Sequence, residues 1–361
     1  MPKKILIVDD SALMRRVLCD IIESDRRFEV ADRAVNGVQA FDLLSRNKYD
    51  AVVLDVNMPK MNGIELLREL NKYKISARVM MASTDTKEGA KTTLDALELG
   101  ALDFIHKPDN AADCRLDSFR DKFLEVLSIV AESTPHTFDN AELSKSRLKT
   151  NSQMVEIIKK KAVNIPGSKL VAIASSTGGP RALQSVVPNL PADIDAPVLI
   201  VQHMPKGFTA SLADRLNTLS AVNVVEAAEG MELKKGTVYI AMGGMHMKVA
   251  TSPSGRSVIH LSDEPSREGV KPCANYMYES LSDSRYDNII CVVMTGMGAD
   301  GTEGIRNLAA QKKVHVIAQS QETCTVYGMP KNVVNAGLSN QVTGLEQLAQ
   351  EIILHVGISN K

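Results

Sequence analysis

The sequence predicts an α/β protein built as two doubly wound, mostly parallel sheets in series, and three observations predict it. Short, β-branched apolar runs alternate with helix-patterned stretches up to about residue 130. The same alternation resumes at Lys169. Between the two, residues 131–167 lose the strand pattern and become rich in Ser, Thr, Asn and Lys. Strands separated by helices need crossover connections, which give parallel sheets covered on both faces. At 361 residues the chain is long enough to bury two cores of ordinary size.

The first half reads, in order, KKILIVDD, SALMRRVLCDIIESD, EVADRAV, NGVQAFDLLSRN, AVVLDV, GIELLRELNK, RVMMAS, KEGAKTTLDALELG, DFIHKP and LDSFRDKFLEVLSIVAE, which makes five strand-helix units. A linker follows, with a short helix expected over QMVEIIKKK. The second half runs through the strand KLVAIASS, a helix at PRALQSVVPNL, the strand APVLIVQHM, a helix at TASLADRLNTL and the strands VNVVEAAE and TVYIAM. A hairpin comes next, from MKVATS through PSGRS to VIHLSD. The chain continues with a helix at ANYMYESLSDS, the strand NIICVVMTG, a helix at GTEGIRNLAAQ, the strand HVIAQS and two further helices. The expected boundaries are 1–125 for the first domain, 126–167 for the linker and 168–357 for the second domain, a parallel sheet with one antiparallel hairpin.

Bulk composition excludes more than it names. With 42 basic and 43 acidic residues there is no basic footprint for nucleic acid or an anionic membrane. Trp is absent and aromatics make up 4%, which argues against base-stacking platforms. No helix-turn-helix with a basic recognition helix follows the linker, so a DNA-binding output is discounted. The four-residue apolar run in MPKKILIVDD is far short of a signal core, and no run reaches the roughly 18 residues of a membrane helix. Five cysteines form no CxxC pair, as expected for a reducing cytosol, and a cytoplasmic location is expected.

In a doubly wound sheet, ligands bind at the carboxyl ends of the strands. In the first domain those ends are Asp9, Asp10, Asp55, Ser83 and Lys107. Three clustered carboxylates, Asp9, Asp10 and Asp55, repel one another and suit a hard divalent cation such as Mg2+, which shares its oxygens with a phosphate. Asp55 is then the carboxylate left to accept a phosphoryl group, with Lys107 neutralising charge and Ser83 donating to a phosphate oxygen. Any one of these residues alone could be a turn former or helix cap.

Together, IVDD, DVNMPKMNG, MMASTDT and DFIHKP resemble the receiver domain of two-component response regulators, over residues 1 to about 123. The resemblance implies phosphorylation of Asp55 by a partner histidine kinase, with Mg2+ in the acidic pocket. It also implies a signalling switch at Ser83 and Phe104, the latter also compatible with core packing.

The second domain repeats the geometric logic with other chemistry. The strand ending in VAIASSTGGP feeds a helix near Pro180, and a hydroxyl at that junction is pushed out of the sheet rim as in a nucleophile elbow. The next strand ends in His203, and NIICVVMTGMGAD runs out to Asp300, so a serine, a base and an orienting carboxylate come from three strand ends. Successive strand residues face opposite sides, so only one of Ser175 and Ser176 can share the rim with His203 and Asp300. Asp300 before Gly301 also reads as a cap for the helix GTEGIRN. His203 in QHMP has no evident structural task. The remaining histidines, His106, His136, His260, His315 and His355, lack a comparable partner set and read as ordinary, and His246 in GGMHMK is expected to line the site without catalysing.

STGGP, QHMPKGFTASLADRL and TGMGADG resemble the effector domain of the CheB family of chemotaxis protein-glutamate methylesterases, and the receiver ahead of it matches the same family. The resemblance makes Ser176, directly before TGG, the nucleophile, His203 the base and Asp300 its partner. It sets Thr177 and the backbone near Met297 beside the oxyanion. It implies hydrolysis of γ-glutamyl methyl esters on methyl-accepting chemotaxis receptors with release of methanol, deamidation of receptor glutamines, a chemotaxis histidine kinase as phosphodonor, and no cofactor in the esterase site. The receiver is expected to restrain the Ser176 site until Asp55 is phosphorylated. A second reading is a response regulator whose output domain has lost catalysis and acts by binding the receptor.

Three stretches depart from the family pattern. Ala174, Ser175 and Ser176 stand where the family reads GAS, Met242, Gly243 and Gly244 where it reads PGD, and Lys271, Pro272 and Cys273 where it reads RPS. The first bears on the fit of the elbow, and the other two are assigned to substrate recognition rather than chemistry.

Overall fold

The computed structural model describes residues 1–83, 87–108, 113–133 and 166–359, in two compact units, Met1–Asp139 and Asn140–Lys361. The helix expected over QMVEIIKKK and His136 lie outside the described residues. Among the described residues no helix is long and apolar enough to cross a membrane.

In the first unit β1 (Lys3–Val8), β2 (Phe28–Ala34), β3 (Ala51–Asp55), β4 (Val79–Ser83) and β5 (Asp103–His106) form one sheet in the order β2-β1-β3-β4-β5. Every pairing is parallel. The helices α1 (Ala12–Glu23), α2 (Gly37–Arg46), α3 (Gly63–Lys72), α4 (Lys87–Glu98) and α5 (Asp117–Glu132) alternate with the strands. Ile5 and Ile7 of β1 pack with Leu18, Ile22, Phe123 and Leu127, while Leu6 and Val8, one residue out of phase, are equally buried, so helices cover both faces. Side chains cap the starts of α1 at Ser11, of α2 at Asn36 and, most completely, of α3, where Asn62 and Glu65 cap each other's amides. The last helix carries Val126, Leu127, Val130 and Ala131 into this core. The first unit therefore runs past the expected boundary at 125, because the apolar face of α5 needs its final turns to cover the sheet.

The second unit holds β6 (Lys169–Ser175), α6 (Gly179–Val186), β7 (Val198–Gln202), α7 (Phe208–Leu219), β8 (Asn223–Glu226) and β9 (Thr237–Ile240). A hairpin, β10 (His246–Thr251) with β11 (Ser257–Ser262), interrupts the series. It closes with α8 (Ala274–Ser280), β12 (Asn288–Val293), α9 (Thr302–Ala309), β13 (Val314–Gln319), α10 (Met329–Asn335), β14 (Gln341–Thr343) and α11 (Leu345–Val356). Its seven-stranded sheet has the order β14-β13-β12-β6-β7-β9-β8, parallel throughout, and the antiparallel hairpin stands apart as a two-stranded sheet. The chain leaves β6 toward β7 on one side and returns to β12 on the other, which makes the carboxyl end of β6 the point where strand order reverses.

Candidate functional site

In the first unit, Asp9 follows β1, Asp55 ends β3, Ser83 ends β4 and Lys107 follows β5. All four are buried, and Asp10 is exposed. Lys107 Nζ donates to Asp55 Oδ1 at 2.5 Å and to Asp9 Oδ2 at 3.0 Å, and the Lys107 amide donates to the Ser83 carbonyl at 2.7 Å. One oxygen each of Asp9, Asp10 and Asp55 lies within 4.8 Å of the others, a hard-oxygen donor set that fits a divalent cation. Charge balance supports that fit. Burial pushes Asp55 above the usual carboxylate range, and Lys107 does not fully offset it. Burial disfavours the Lys107 ammonium as well, but the two carboxylates overcome this and hold it charged. One ammonium thus faces three carboxylates. Phe104 is half-buried in β5, in register with Met81.

In the second unit, β6 ends at Ser175, and Ser176, Thr177 and Gly178 make the turn into α6, with Gly178 at φ 76°. The Ser176 amide donates to the Thr295 carbonyl at 3.0 Å, and the Ser176 carbonyl accepts from the Gly179 amide at 2.7 Å, so the nucleophile candidate is fixed by its own backbone. Ser175 points away from the rim and is fully buried, its Oγ donating to Gln202 Oε1 at 2.7 Å. Gln202 Nε2 in turn donates to the carbonyls of Ser176, at 2.9 Å, and His203, at 3.3 Å. The His203 amide donates to the Ser175 carbonyl at 3.1 Å, which sets His203 beside the elbow.

The His203 ring meets Asp300 through Nε2, 2.7 Å from Oδ2. Asp300, only 2% exposed, also accepts from the Ala274 amide at 2.6 Å, the Asn275 amide at 2.9 Å and the Cys273 thiol at 3.0 Å. Burial alone would raise its pKa, but His203, Cys273 and the Ala274 amide together hold it below the usual carboxylate range. Among the described residues no hydrogen bond joins Ser176 Oγ to the His203 ring, and none takes the Met297 amide. Thr177 is buried, its carbonyl accepting from Thr295 Oγ1 at 2.9 Å, and Met297 is half-buried.

Three sequence expectations change here. Asp300 caps the first turn of α8 rather than the helix that follows it. That helix, α9, is capped instead by Asn275, whose Oδ1 accepts from the Gly301 and Gly304 amides at 3.0 and 2.6 Å. His246 does not line the site. It is fully buried, its Nδ1 accepting from the Cys273 amide at 3.2 Å and its Nε2 facing the Pro265 carbonyl at 3.1 Å. The departures at 243 and 273 belong to the site's framework. A Cβ on Gly243 would sit 2.3 Å from the Pro205 carbonyl oxygen, in the loop after His203, and Cys273 touches Asp300. Gln202 and Asn275 were missed because their partners lie on distant elements; the only local signal was the polar Gln202 ending an apolar strand. Of the other histidines, His260 faces Glu229 at 3.2 Å and His315 stacks on His355 at 3.7 Å.

A 2-1-3-4-5 sheet with an acidic rim and a facing lysine, followed by an α/β unit with Ser, His and Asp at its reversal point, is the layout of a response regulator with a serine-hydrolase-type output domain. Residues 5–116 match the response regulator receiver domain, and residues 171–352 match the CheB methylesterase domain. A protein-glutamate methylesterase/protein-glutamine glutaminase of Bacillus licheniformis is 40% identical over 353 residues, which is 98% of each chain. The protein of the same name from Bacillus subtilis is 40% identical over 360 residues, 97% of each chain. The solved Thermotoga maritima CheB methylesterase catalytic domain is 39% identical with a TM-score of 0.50, covering 52% of this chain and 98% of that one. The chain belongs to the CheB methylesterase family and carries a receiver domain ahead of its methylesterase domain.

Proposed function

We propose that the protein hydrolyses glutamate γ-methyl esters on methyl-accepting chemotaxis receptors, releases methanol, and deamidates receptor glutamines, at a rate controlled by phosphorylation of Asp55. The observation that carries the hydrolytic reading is the His203–Asp300 pair at 2.7 Å, with Asp300 tied down by three further donors at the strand end beside Ser176. The names of the relatives support the substrate class.

Asp300 holds the proton on His203 Nε2, which leaves Nδ1 as the nitrogen with a free lone pair. Nδ1 takes the Ser176 Oγ proton as the oxygen attacks the ester carbonyl. The amides of Thr177 and Met297 receive the oxyanion, each such donor being worth about 10²- to 10³-fold in rate. Collapse breaks the ester C–O bond, and the imidazolium returns its proton to the leaving methoxide, giving methanol and an acyl-Ser176. Water, deprotonated by the same nitrogen, then releases the glutamate side chain. Ammonia replaces methanol as the leaving group in deamidation.

In the receiver, Asp55 accepts the phosphoryl group from a chemotaxis histidine kinase, Lys107 and Ser83 engage its oxygens, and Phe104 takes part in the switch. Mg2+ held by Asp9, Asp10 and Asp55 supplies charge neutralisation when bound. Methanol release from methylated receptor membranes, with and without acetyl phosphate, tests both halves. Ser176→Ala should reduce release to background, and wild-type release by that variant would sink the catalytic assignment. Asp55→Asn should keep basal release and lose stimulation, whereas an unchanged response to acetyl phosphate would remove the control by Asp55. Retention on receptor membranes with no methanol from the wild type would favour the receptor-binding reading instead.

A further inference from the structure

We propose that Cys273 is a positioning residue for hydrolysis, its thiol serving as the fourth hydrogen-bond donor to Asp300 and thereby tuning how strongly Asp300 holds His203. The inference rests on the Ser176, His203 and Asp300 assignment above.

Cys273 occupies the N-cap position of α8, where a side chain ordinarily accepts a bond from the helix's first amides. Its own side chain makes no such bond. The amides of Ala274 and Asn275 go to Asp300, and the Cys273 Sγ donates to Oδ1 of the same carboxylate at 3.0 Å. The thiol is aimed there by its backbone, because the Cys273 amide is bound to Nδ1 of the buried His246. Cys273 is itself fully buried, and burial followed by the nearby Asp300 charge pushes the thiol far above its ordinary range. It stays an S–H donor at any working pH and does not compete as a thiolate nucleophile.

A thiol is a weak donor. It satisfies an Asp300 lone pair while leaving more negative charge facing His203 than a hydroxyl would. Other groups facing this pair are the buried Tyr278 phenol, which feels the Asp300 charge, Arg267, which feels Cys273 and pairs with Glu279, and Glu268, which accepts from Asn275 Nδ2 at 2.7 Å. None of these makes a hydrogen bond to the Asp300 carboxylate, so the donor at position 273 is the variable to change.

Cys273→Ala and Cys273→Ser separate a tuning role from a packing role. Loss of the donor leaves Asp300 more basic and His203 harder to deprotonate. The acid limb of kcat/KM for methanol release should then move up by about 0.5 to 1 pH in the alanine variant. The serine variant, nearly isosteric and a stronger donor, should fold as the wild type does and move the same limb below the wild-type position. A packing role would change stability without opposite shifts. Limbs that stay at the wild-type position, or that move together, would overturn the proposal. Ser176→Ala is run alongside. If it retains methanol release, the catalytic assignment has failed; if it is inert while the Cys273 limbs do not split, the role of Cys273 alone has failed.

Discussion

Replacing Gly179 with alanine tests whether the elbow is clamped through Gln202. A Cβ on Gly179 would lie 2.0 Å from Gln202 Oε1 and 2.9 Å from Ser175 Cβ. The Gly179 backbone is outside the left-handed region, so alanine meets no conformational strain and gains up to about 1 kcal/mol of helix propensity. Against this stands overpacking of about 1–3 kcal/mol. If Gln202 swings aside to relieve it, the buried Ser175 hydroxyl loses its acceptor, at about 1–3 kcal/mol. The Ser176 carbonyl is not orphaned, since it keeps the Gly179 amide at 2.7 Å. The net loss is about 1–5 kcal/mol, which lowers Tm by roughly 2–20 °C in a domain of this size. A displaced Ser176 should also cut kcat/KM about 10- to 100-fold. Thermal melts of the full chain and methanol release measure the two effects. In a Gln202→Ala background the same substitution should cost at least about 1 kcal/mol less, because the clash partner is gone. A Gly179→Ala protein with wild-type Tm and activity, or strict additivity in the double variant, would refute the clamp.

Three other outcomes follow from the same side chains. Asp55→Asn should raise the receiver's melting temperature at neutral pH without divalent cation. Burial lifts the folded pKa of Asp55 above 3.8, so its penalty grows as pH rises through the folded value and vanishes below about 4. Mg2+ at ten times its dissociation constant should stabilise the wild-type receiver by about 1.4 kcal/mol, a gain read as a Tm increment that Asp10→Asn, at an exposed position, largely removes. His246 is held neutral by burial, its pKa below 6.5, so the folded state binds fewer protons than the unfolded one and stability is lost as pH falls below that value. The Tm drop between pH 7 and pH 5 should therefore narrow in His246→Gln.

Periodicity carried most of this fold because strands buried on both faces and amphipathic crossovers are local patterns. The strand ends carried Asp9, Asp55, Lys107, Ser176 and His203 for the same reason, since a parallel sheet delivers its carboxyl ends to one rim, while Asp300 lies in the loop that follows β12. β14, Gln341–Thr343, was not legible: three residues at a sheet edge, with Val342 exposed, present no alternation to read. The boundary at 125 fell inside a helix whose own apolar pattern continued to Glu132. The bonds from Gln202 to Ser175 and from Asn275 to Gly301 join residues 27 and 26 positions apart, and no propensity encodes such a pairing. The chain's departures from the family pattern did mark the relevant places, but their chemistry needed coordinates. Ser175 turned out to have a partner in Gln202, and Cys273 moved from the surroundings of the site to its carboxylate.

On the proposed function, two buried carboxylates let one architecture support two kinds of chemistry. Asp300 has four donors and is held below the usual range, so it keeps its charge and its place and has no lone pair to offer a substrate. Asp55 has the Lys107 ammonium and the Val56 amide, sits beside two more carboxylates, and is pushed up by burial. A carboxylate in that position gains from any cation or electrophile that draws on its electrons, whereas one satisfied on all sides gains nothing from reacting. The difference lies in donor count, since both residues are buried beside the carboxyl side of a parallel sheet, Asp55 at the end of β3 and Asp300 in the loop between β12 and α9. On the proposed assignment it makes Asp55 the reactive carboxylate and Asp300 the fixed one. Adding a donor to Asp55, or removing one from Asp300, should push each toward the behaviour of the other.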